Sequence, residues 1–213
     1  MIKIGTSSRI LVLAPHTDDG ELGCGGTISK WIEAGAEIHY AAFSTAEQSV
    51  PEGFPKDILK TEVKRATAAL GILPEHLFIY NYEVRKLNYV RQDILEDLMV
   101  LRRKYAYDIV LLPSPQDIHQ DHITVSQEGI RAFKTISIMG YELIWNNLSF
   151  NTTCFVPLQR HHVEQKANAL SEYKSQGIRD YMSAEFIFAL AKTRGVQIGV
   201  EYAESFEVIR WLM

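Results

Sequence analysis

Apolar runs alternate along the chain with stretches in which apolar residues recur every three or four positions. Uninterrupted apolar or β-rich runs predict strands, at 10–14, 37–43, 77–80, 108–112, 142–145 and 205–210. The helical pattern predicts helices, at 24–34, 57–70, 91–105, 124–136, 162–175 and 183–194. Strands and helices that alternate in this way favour a Rossmann-like, three-layer α/β fold with a mainly parallel sheet.

Glycines and prolines mark several connections between these elements. Gly35 and Gly71 follow the first two predicted helices, at the position where a glycine commonly ends a helix. The segment 44–56 is a long connection that contains Gly53 and two prolines, and it is predicted to be a flap that faces a substrate. Because the sequence shows no repeat, low-complexity tract or linker, residues 1–213 are expected to form a single domain.

Composition narrows the class of protein. The chain has 213 residues, of which 46% are apolar, and this suffices for one domain with a sizeable core. A formal net charge of -4 provides no basic field for nucleic acid, so no nucleic-acid partner is expected. The sequence has no run of transmembrane length and no signal peptide, and Cys24 and Cys154 form no CxxC pair. These features predict a cytoplasmic protein without a membrane partner, and they leave homo-oligomerisation open.

Two acid- and histidine-rich motifs follow predicted strands. The first, at 15–21, reads Pro-His-Thr-Asp-Asp-Gly-Glu, and the second, at 119–122, reads His-Gln-Asp-His. Because the carboxyl ends of parallel strands can open on one crevice, we expect both loops to meet there and form the active site. Three imidazoles and three aspartate carboxylates would then lie within reach of each other. That inventory is typical of a catalytic metal ion, with zinc favoured, and it indicates a metal-dependent hydrolase.

The spacing within the motifs suits metal ligands. A hydrolytic zinc site needs about three protein ligands and an open position for water. His16 and Asp19 are three residues apart, as are His119 and His122, so each pair can share one side of a helical turn. Asp18 and Asp19 are adjacent and cannot point the same way, so one can bind the metal while the other accepts a proton from water. The spacing alone leaves open which three groups are the ligands.

These motifs resemble the signatures of the PIG-L/LmbE-like N-acetylglucosaminyl deacetylases. Residues 15–27 are similar to the first signature of that family, and residues 119–122 are similar to the second. The resemblance extends over most of the chain and includes 175–176 and 202–206. It therefore implies that the whole chain is one deacetylase domain with the Rossmann-like fold of the family.

The family resemblance also implies a role for each motif residue. It implies three ligands for one catalytic Zn²⁺ ion, namely His16, Asp19 and His122. Iron or cobalt could occupy the same set of donor atoms. Asp18 is expected to be the general base. His119 is expected to be the electrostatic or acid group, and Asp121 is expected to set the ionisation of His119.

Two positions depart from the commonest family form. That form has Ala before the first histidine and Pro after it, whereas Pro15 and Thr17 flank His16 here. The carboxylate that usually follows the Asp pair is displaced by one position, to Glu21. Its role is left open, and a carboxylate that stabilises the start of a helix is the simpler interpretation.

The implied reaction is removal of an N-acetyl group from an N-acetylglucosamine-containing small molecule or sugar conjugate. Two alternatives are hydrolysis of another N-acyl amide at the same metal site and a non-catalytic, Rossmann-like sugar-binding protein. Asp18 and His119 argue against the second alternative, because a binding protein needs neither a base nor an acid. Arg85 and Asn146 follow predicted strands and are candidates for substrate contacts, although Arg85 can equally be a surface residue.

Other conspicuous residues are interpreted as structural. The glycines at 23–26 do not complete a GxGxxG fingerprint, so they predict close packing of a helix on a strand. Cys24 is interpreted as a small packed residue and not as a nucleophile. His39, His76 and the histidines at 161–162 are interpreted as structural residues without a ligand role.

Overall fold

The computed structural model describes residues 5–212, which form a seven-stranded sheet with helices on both faces. The strands are β1 (Arg9–His16), β2 (Glu37–Ser44), β3 (Leu77–Ile79), β4 (Ile109–Pro113), β5 (Ser137–Tyr141), β6 (Cys154–Leu158) and β7 (Tyr202–Arg210). The helices are α1 (Asp19–Glu33), α2 (Ile58–Leu70), α3 (Arg91–Lys104), α4 (Gln120–Ala132), α5 (Arg160–Leu170) and α6 (Ala184–Gln197). Across the sheet, the strand order is β3-β2-β1-β4-β5-β7-β6.

Neighbouring strands from β3 to β5 run parallel, whereas β7 runs antiparallel to both β5 and β6. This architecture confirms the mainly parallel α/β fold that the sequence predicts. The chain leaves β1 toward β2 on one side, while β4 and β5 lie on the other side. Such a reversal of strand order opens a crevice at the carboxyl ends of the two central strands. The two sequence motifs follow these strands, β1 and β4.

Two apolar cores lie on the two faces of the sheet, and β1 contributes to both. Ile10 and Val12 pack in the core that contains residues of α1, α2 and α5, whereas Leu11 and Leu13 pack with α3 and α4. Successive side chains of a strand point to opposite faces, so a strand covered on both sides must be apolar at every position. The uninterrupted apolar run at 10–14 is the sequence signature of this burial.

Two strands differ from the sequence prediction. The strand predicted at 142–145 is wrong, because β5 ends at Tyr141 and the residues after it form a turn. Gly140 lies inside β5, and glycine is depleted in strands, so the sequence signal of β5 is weak. β6 was not predicted, because Pro157 interrupts its pattern. β6 is the last strand of the sheet, where a residue without an N–H donor is tolerated, and Pro157 is exposed.

Helix boundaries also differ from the prediction at the motifs. α1 begins at Asp19 and not at residue 24, and α4 begins at Gln120 and not at residue 124. Both helices begin with polar residues, so the apolar pattern does not extend to their first turns. Carboxylates such as Asp19 are nevertheless favourable in the first turn of a helix. α5 ends at Leu170, before the predicted end at residue 175. Within the described part of the chain, every helix is too short or too polar to span a membrane.

α1 is kinked at Cys24, whose φ and ψ of -146° and 21° are not helical. The kink exposes N–H groups of the second half of the helix to Glu204 of β7. The carboxylate of Glu204 accepts hydrogen bonds from the backbone nitrogens of Gly26 at 3.0 Å and Thr27 at 2.6 Å. A Cβ atom at Gly26 would overlap Leu158 of β6. The glycines at 23–26 therefore allow close packing of helix on sheet, as the sequence predicts.

Candidate metal and catalytic site

Both motifs open on one pocket at the carboxyl ends of β1 and β4. β1 ends at His16, which two residues separate from α1, and the loop after β4 leads to His119 at the start of α4. The pocket has a volume of about 350 Å³. Its floor contains five of the six predicted site residues of the motifs, namely His16, Asp18, Asp19, His119 and His122. The sixth, Asp121, is buried beneath this floor.

Three donor atoms converge at the centre of the floor. His16 Nδ1 lies 3.1 Å from Asp19 Oδ2, and His122 Nε2 lies 3.2 Å from the same oxygen. The two histidine nitrogens are 3.2 Å apart. A tetrahedral ion with ligands at about 2.0 Å has ligand–ligand distances of about 3.3 Å, so this triangle has the size that zinc requires. The donor set of two imidazoles and one carboxylate therefore fits a divalent transition metal.

Buried carboxylates fix both histidines in the tautomer that a metal needs. His16 Nε2 lies 2.9 Å from Asp121 Oδ2, and His122 Nδ1 lies 2.7 Å from Asp117 Oδ2. Each ring in its neutral form would therefore donate its N–H to a carboxylate and direct its other nitrogen, which could bind a metal, toward Asp19. Histidines that bind a metal are commonly held in this way, which also increases their basicity.

His119 lies beside this triangle but is oriented differently. Single ligand atoms of His16, His119 and His122 lie within 4.8 Å of one another, so His119 is an alternative third ligand. However, His119 is the N-cap of α4, and its Nδ1 accepts the backbone N–H of Asp121 at 3.2 Å. A neutral His119 therefore carries its proton on Nε2, which is then a donor and not a metal ligand. This geometry favours Asp19 as the third ligand.

The contacts of Asp121 differ from those expected. Its carboxylate does not bind the ring of His119 but accepts hydrogen bonds from His16 and from the backbone N–H groups of Arg85 at 2.6 Å and Leu87 at 3.2 Å. Burial raises the pKa of Asp121, but these hydrogen bonds outweigh burial and lower it below its usual value. The carboxylate of Asp121 therefore contacts His16, while its charge also raises the pKa of His119. In the sequence His119 is close to Asp121, whereas the fold places His16 of the first motif against the Asp121 carboxylate.

Asp117 is a site residue that the sequence analysis missed. It is buried in the loop after β4, where Oδ1 accepts the backbone N–H of His119 at 2.8 Å and Oδ2 contacts His122. One carboxylate therefore positions two histidines of the second motif. An acidic residue in a loop that joins the clearest predicted strand to a His-x-x-His motif is the sequence signal that could have identified it.

Charges within the site shift the pKa values of its groups strongly. Burial lowers the pKa of both candidate ligand histidines, but the carboxylates around them together outweigh burial. Asp19 and Asp121 raise the pKa of His16 to about 9, and Asp19 and Asp117 raise that of His122 to about 10. Burial, together with the charge of Asp19, raises the pKa of Asp18 to about 6. A carboxylate with a pKa near neutrality is well suited to accept and release a proton.

The surroundings of His119 favour its neutral form. Burial and the charges of His122 and His16 lower the pKa of His119 to about 4. This direction favours a neutral imidazole over an imidazolium. A neutral ring with its proton on Nε2 can still donate a hydrogen bond to a developing oxyanion.

The pocket walls include both residues expected to contact substrate, Arg85 and Asn146. Trp145 also lines the pocket, and its ring stacks on Tyr181 with centroids 3.9 Å apart and planes at 11°. Arg179 is a pocket residue that sequence reasoning missed, because it lies in a turn without a distinctive pattern. The walls therefore combine a flat aromatic surface, a side-chain amide and two positive charges.

The segment 44–56 reaches the pocket, as predicted from its length. Ala46 and Ser49 of this segment line the cavity, and Ser49 Oγ accepts a hydrogen bond of 3.1 Å from Arg85 Nη2. Ala46 and Arg85 both adopt positive φ, at 47° and 67°. Non-glycine residues with positive φ are uncommon and concentrate at functional sites.

Glu21 lies in the first turn of α1, but it is fully buried. Its carboxyl contacts the hydroxyl groups of Tyr40 and Tyr173, the latter at 3.0 Å. Burial raises the pKa of Glu21 to about 8, although both hydroxyls lower it. Glu21 is therefore part of a buried polar network beneath Asp18, which goes beyond the helix-start role considered from the sequence.

The residues interpreted as structural have partners that account for them. Cys24 Sγ donates to the carbonyl oxygen of Gly20, and burial raises the pKa of Cys24 well above its usual value, so its thiol is unreactive. His39 is buried between Glu37 and Tyr107. These contacts agree with a packing role for both residues.

The pair at 161–162 also contacts a carboxylate, that of Glu33. His162 Nδ1 accepts the backbone N–H of Gln159 at 3.0 Å, so a neutral His162 carries its proton on Nε2, which faces Glu33. The proton on Nε2 explains the contact with Glu33, and Nε2 then has no free lone pair for a metal. This second cluster of histidines therefore acts as a helix cap and not as a metal site.

Comparison with protein families gives one match over more than half of the chain. The family model described as PIG-L, GlcNAc-PI de-N-acetylase, matches residues 11–133. This range contains nearly all of β1 and the whole of β4, together with both motifs and the triangle of His16, Asp19 and His122.

Individual proteins of known sequence and structure are also similar. YaiS of Escherichia coli, described as an uncharacterized deacetylase, is 27% identical over 173 residues, which are 78% of this chain and 90% of that protein. A diacetylchitobiose deacetylase of Thermococcus kodakarensis is 26% identical over 137 residues, which are 62% of this chain and 50% of that protein. The crystallised N,N'-diacetylchitobiose deacetylase of Pyrococcus horikoshii has a TM-score of 0.78 at 23% identity, over 95% of this chain and 84% of that one.

Proposed function

The chain belongs to the PIG-L family and is a hydrolytic N-deacetylase, and on this premise we propose that it uses zinc to deacetylate an N-acetylglucosamine-containing small molecule. The observation that carries the zinc proposal is the triangle of His16 Nδ1, Asp19 Oδ2 and His122 Nε2. Its edges of 3.1 to 3.2 Å match a tetrahedral ion, and both histidines have their second nitrogen bound to a carboxylate.

The residues around the triangle divide the chemistry of amide hydrolysis between them. A zinc ion in this place would polarise the acetyl carbonyl and lower the pKa of a water molecule to about 7. Asp18 accepts a proton from the attacking water, and its pKa of about 6 is close to that needed near neutral pH. Asp18 then returns the proton to the nitrogen of the sugar as the C–N bond breaks. Acetate and a free amine are the products.

His119 is proposed to stabilise the charge that develops on the carbonyl oxygen. Its Nδ1 is occupied by the N–H of Asp121, so the Nε2–H is the donor available to the pocket. A donor fixed before the reaction stabilises an oxyanion without reorganisation. Asp121 acts on this chemistry through His16, which it holds in place, and it is a positioning residue.

The pocket walls support an amino-sugar substrate. The exposed face of a sugar ring packs well on an aromatic surface, and Trp145 offers one that Tyr181 holds rigidly by stacking. Asn146 is next to Trp145 and can exchange hydrogen bonds with sugar hydroxyls, and Arg85 lies in the same wall. We propose that these residues hold the sugar while its acetyl group faces the triangle.

The proposed setting is a single domain over residues 1–213 in the cytoplasm. The first strand, β1, and the last strand, β7, belong to the same sheet. This arrangement supports a single folded unit. Cys24 and Cys154 are both unpaired, in agreement with a reducing compartment.

Acetate release tests the proposed function directly. Metal-stripped and zinc-restored protein are compared on a panel of N-acetylglucosamine derivatives. Release that disappears on chelation and returns with zinc supports the proposal. Zinc-independent release contradicts the metal assignment, whereas release from other N-acyl amides alone contradicts the substrate assignment.

A further inference from the structure

Glu62 is a buried carboxylate of α2 that joins two parts of the pocket wall. Its Oε1 accepts the backbone N–H of Ser175 at 2.9 Å, and its Oε2 accepts the hydroxyl of the same residue at 2.6 Å. Leu59, one helical turn before Glu62, lines the pocket, and so does Gln176, which directly follows Ser175. Glu62 therefore holds together, beneath the surface, two segments that are distant in the sequence and adjacent in the pocket.

The contact with Glu62 also sets the direction of a short chain of hydrogen bonds. A hydroxyl group has one proton, and Ser175 donates that proton to Glu62, because an ionised carboxylate has none to donate. Ser175 Oγ is then an acceptor toward Gln176, whose Nε2 lies 3.1 Å away. The carboxamide of Gln176 must therefore turn its nitrogen toward Ser175. Its oxygen is the end that is left for another partner.

The oxygen of Gln176 borders the cavity. Gln176 lines the pocket although only 3% of the residue is exposed. Among residues 5–212, no group donates a hydrogen bond to Oε1, and Oε1 is not one of the side-chain atoms that are enclosed without a partner in that range. The cavity is therefore the place where Oε1 can meet a donor. An acceptor that stays unpaired when a substrate displaces water is costly, so a bound substrate should supply that donor.

We propose that Gln176 is a specificity-determining residue whose Oε1 accepts a hydrogen bond from a hydroxyl or N–H group of the substrate, and that Glu62 is the positioning residue that fixes this orientation through Ser175. The inference rests on the proposed function and adds one defined contact with the amino sugar. A site with a fixed acceptor selects substrates that carry a donor at that place, because an analogue without the donor leaves the acceptor unpaired.

Substrate analogues identify the donor. Calorimetry on zinc-loaded Asp18→Asn protein measures binding without turnover. The methyl glycoside of N-acetylglucosamine is compared with its 3-deoxy, 4-deoxy and 6-deoxy forms and with the 2-O-acetyl ester, which lacks the amide N–H. We expect one of these analogues to bind about fivefold more weakly than the parent, and Gln176→Met, which removes the acceptor at similar size, to abolish that difference. If no difference between analogue and parent depends on residue 176, the proposed contact is wrong.

Glu62→Gln tests the positioning role at nearly constant shape. The new amide can accept the backbone N–H of Ser175 and donate to its Oγ, so the Ser175 hydroxyl is then free to donate to Gln176. The carboxamide of Gln176 should reverse and present its Nε2 donors to the cavity. We expect KM to rise about fivefold with little change in kcat, because a donor of the protein then faces a donor of the substrate.

An exchange of the two side chains should reverse this loss. In the double variant with Glu62→Gln and Gln176→Glu, one oxygen of the carboxylate at position 176 accepts the Ser175 hydroxyl, and the other oxygen is an acceptor for the substrate. We expect KM to return toward that of the wild type, together with the original discrimination against the analogue that lacks the donor. A double variant that remains as impaired as Glu62→Gln would overturn the positioning role.

Glu128→Gln is the matched control for loss of a buried carboxylate. Glu128 is fully buried and binds Arg91 and Arg131, away from the pocket. This variant should lower the melting temperature and leave KM unchanged. An equal increase of KM in Glu128→Gln and Glu62→Gln would show that KM follows general stability, which also overturns the positioning role.

The binding measurement separates failure of this inference from failure of the proposed function. If the wild-type protein releases no acetate from any derivative, but its discrimination between analogue and parent depends on residue 176, the proposed function fails and the contact is supported. If acetate is released, but no such discrimination depends on residue 176, the contact is refuted and the proposed function is supported.

Discussion

The hydroxyl of Tyr173 donates a hydrogen bond of 2.7 Å to the carbonyl oxygen of Thr17. The hydroxyl of Tyr40 reaches the same oxygen from β2 at 2.9 Å, and both tyrosines are buried. Since Thr17 precedes Asp18, the two phenols hold the peptide that carries the proposed base. Glu21 contacts both hydroxyls from below, and as a neutral acid it can donate its proton to one of them. The network therefore fixes the backbone at Asp18, while the Asp18 side chain faces the pocket.

Tyr173→Phe should lower kcat about tenfold with little change in KM or bound zinc, because a less well-positioned base affects the reaction more than binding. The matched control is Tyr141→Phe, which removes a buried hydroxyl that donates to the carbonyl oxygen of Leu13 in β1 at 2.9 Å. Both variants should lose about 1 kcal/mol of unfolding free energy. Steady-state kinetics and thermal unfolding check both effects, and an equal loss of kcat in the two variants would contradict the positioning role.

Asp18→Ala should retain zinc and lose most of its turnover, by a factor of about 10² to 10⁴, because a proton acceptor is removed from the reaction and no ligand is lost. Asp19→Ala should instead lose the metal, because its carboxylate oxygen is one vertex of the triangle. Metal content by mass spectrometry and acetate release distinguish the two. An empty site in Asp18→Ala would show that the assignment of base and ligand is wrong.

Asp117→Asn and Asp121→Asn should each weaken zinc binding by a factor of about 10 to 100, because each removes the carboxylate that orients a ligand histidine. Asp97→Asn serves as the control, since its carboxylate accepts a hydrogen bond from Tyr82 away from the pocket. Competition with a chromophoric chelator measures all three affinities. Unchanged affinity in Asp117→Asn would refute the role inferred from its contact of 2.7 Å with His122.

The central strands and the location of the site could be predicted from the sequence, because they depend on local patterns and on the order of strands and helices. The apolar runs at 10–14 and 108–112 identified the two central strands, and the motifs after them placed the site at the correct end of the sheet. β5 and β6 escaped prediction because Gly140 and Pro157 weaken strand patterns that tertiary packing and an edge position tolerate.

Contacts between distant residues could not be predicted from spacing. The pairing of Asp121 with His16, the approach of Tyr173 to Thr17 and the position of Arg179 in the pocket all join segments that only the fold brings together. Asp121 was assigned to the nearer histidine in the sequence for this reason. The tautomers of His119 and His16 likewise follow from hydrogen bonds that a sequence does not show.

Zinc binding should release protons and tighten as pH rises. In the metal-free site the pKa of His16 is about 9 and that of His122 about 10, so both are protonated at pH 7, whereas a metal needs their lone pairs. We expect about two protons to be released per zinc at pH 7, and an affinity that increases with pH up to about 10. Calorimetry in buffers of different ionisation enthalpy measures the number of protons.

The same two histidines predict the opposite trend for stability without metal. Both pKa values are raised above the unfolded value of about 6.5, so their stabilising contribution is complete below that pH and is lost as pH rises through 9 and 10. The melting temperature of chelated protein should therefore fall over this range, while that of zinc-loaded protein should fall less. His122→Gln removes one of the two groups and should reduce the slope for the chelated protein. Parallel slopes for chelated and zinc-loaded protein, together with zinc binding that releases no protons, would show that these histidines do not exchange protons for the metal.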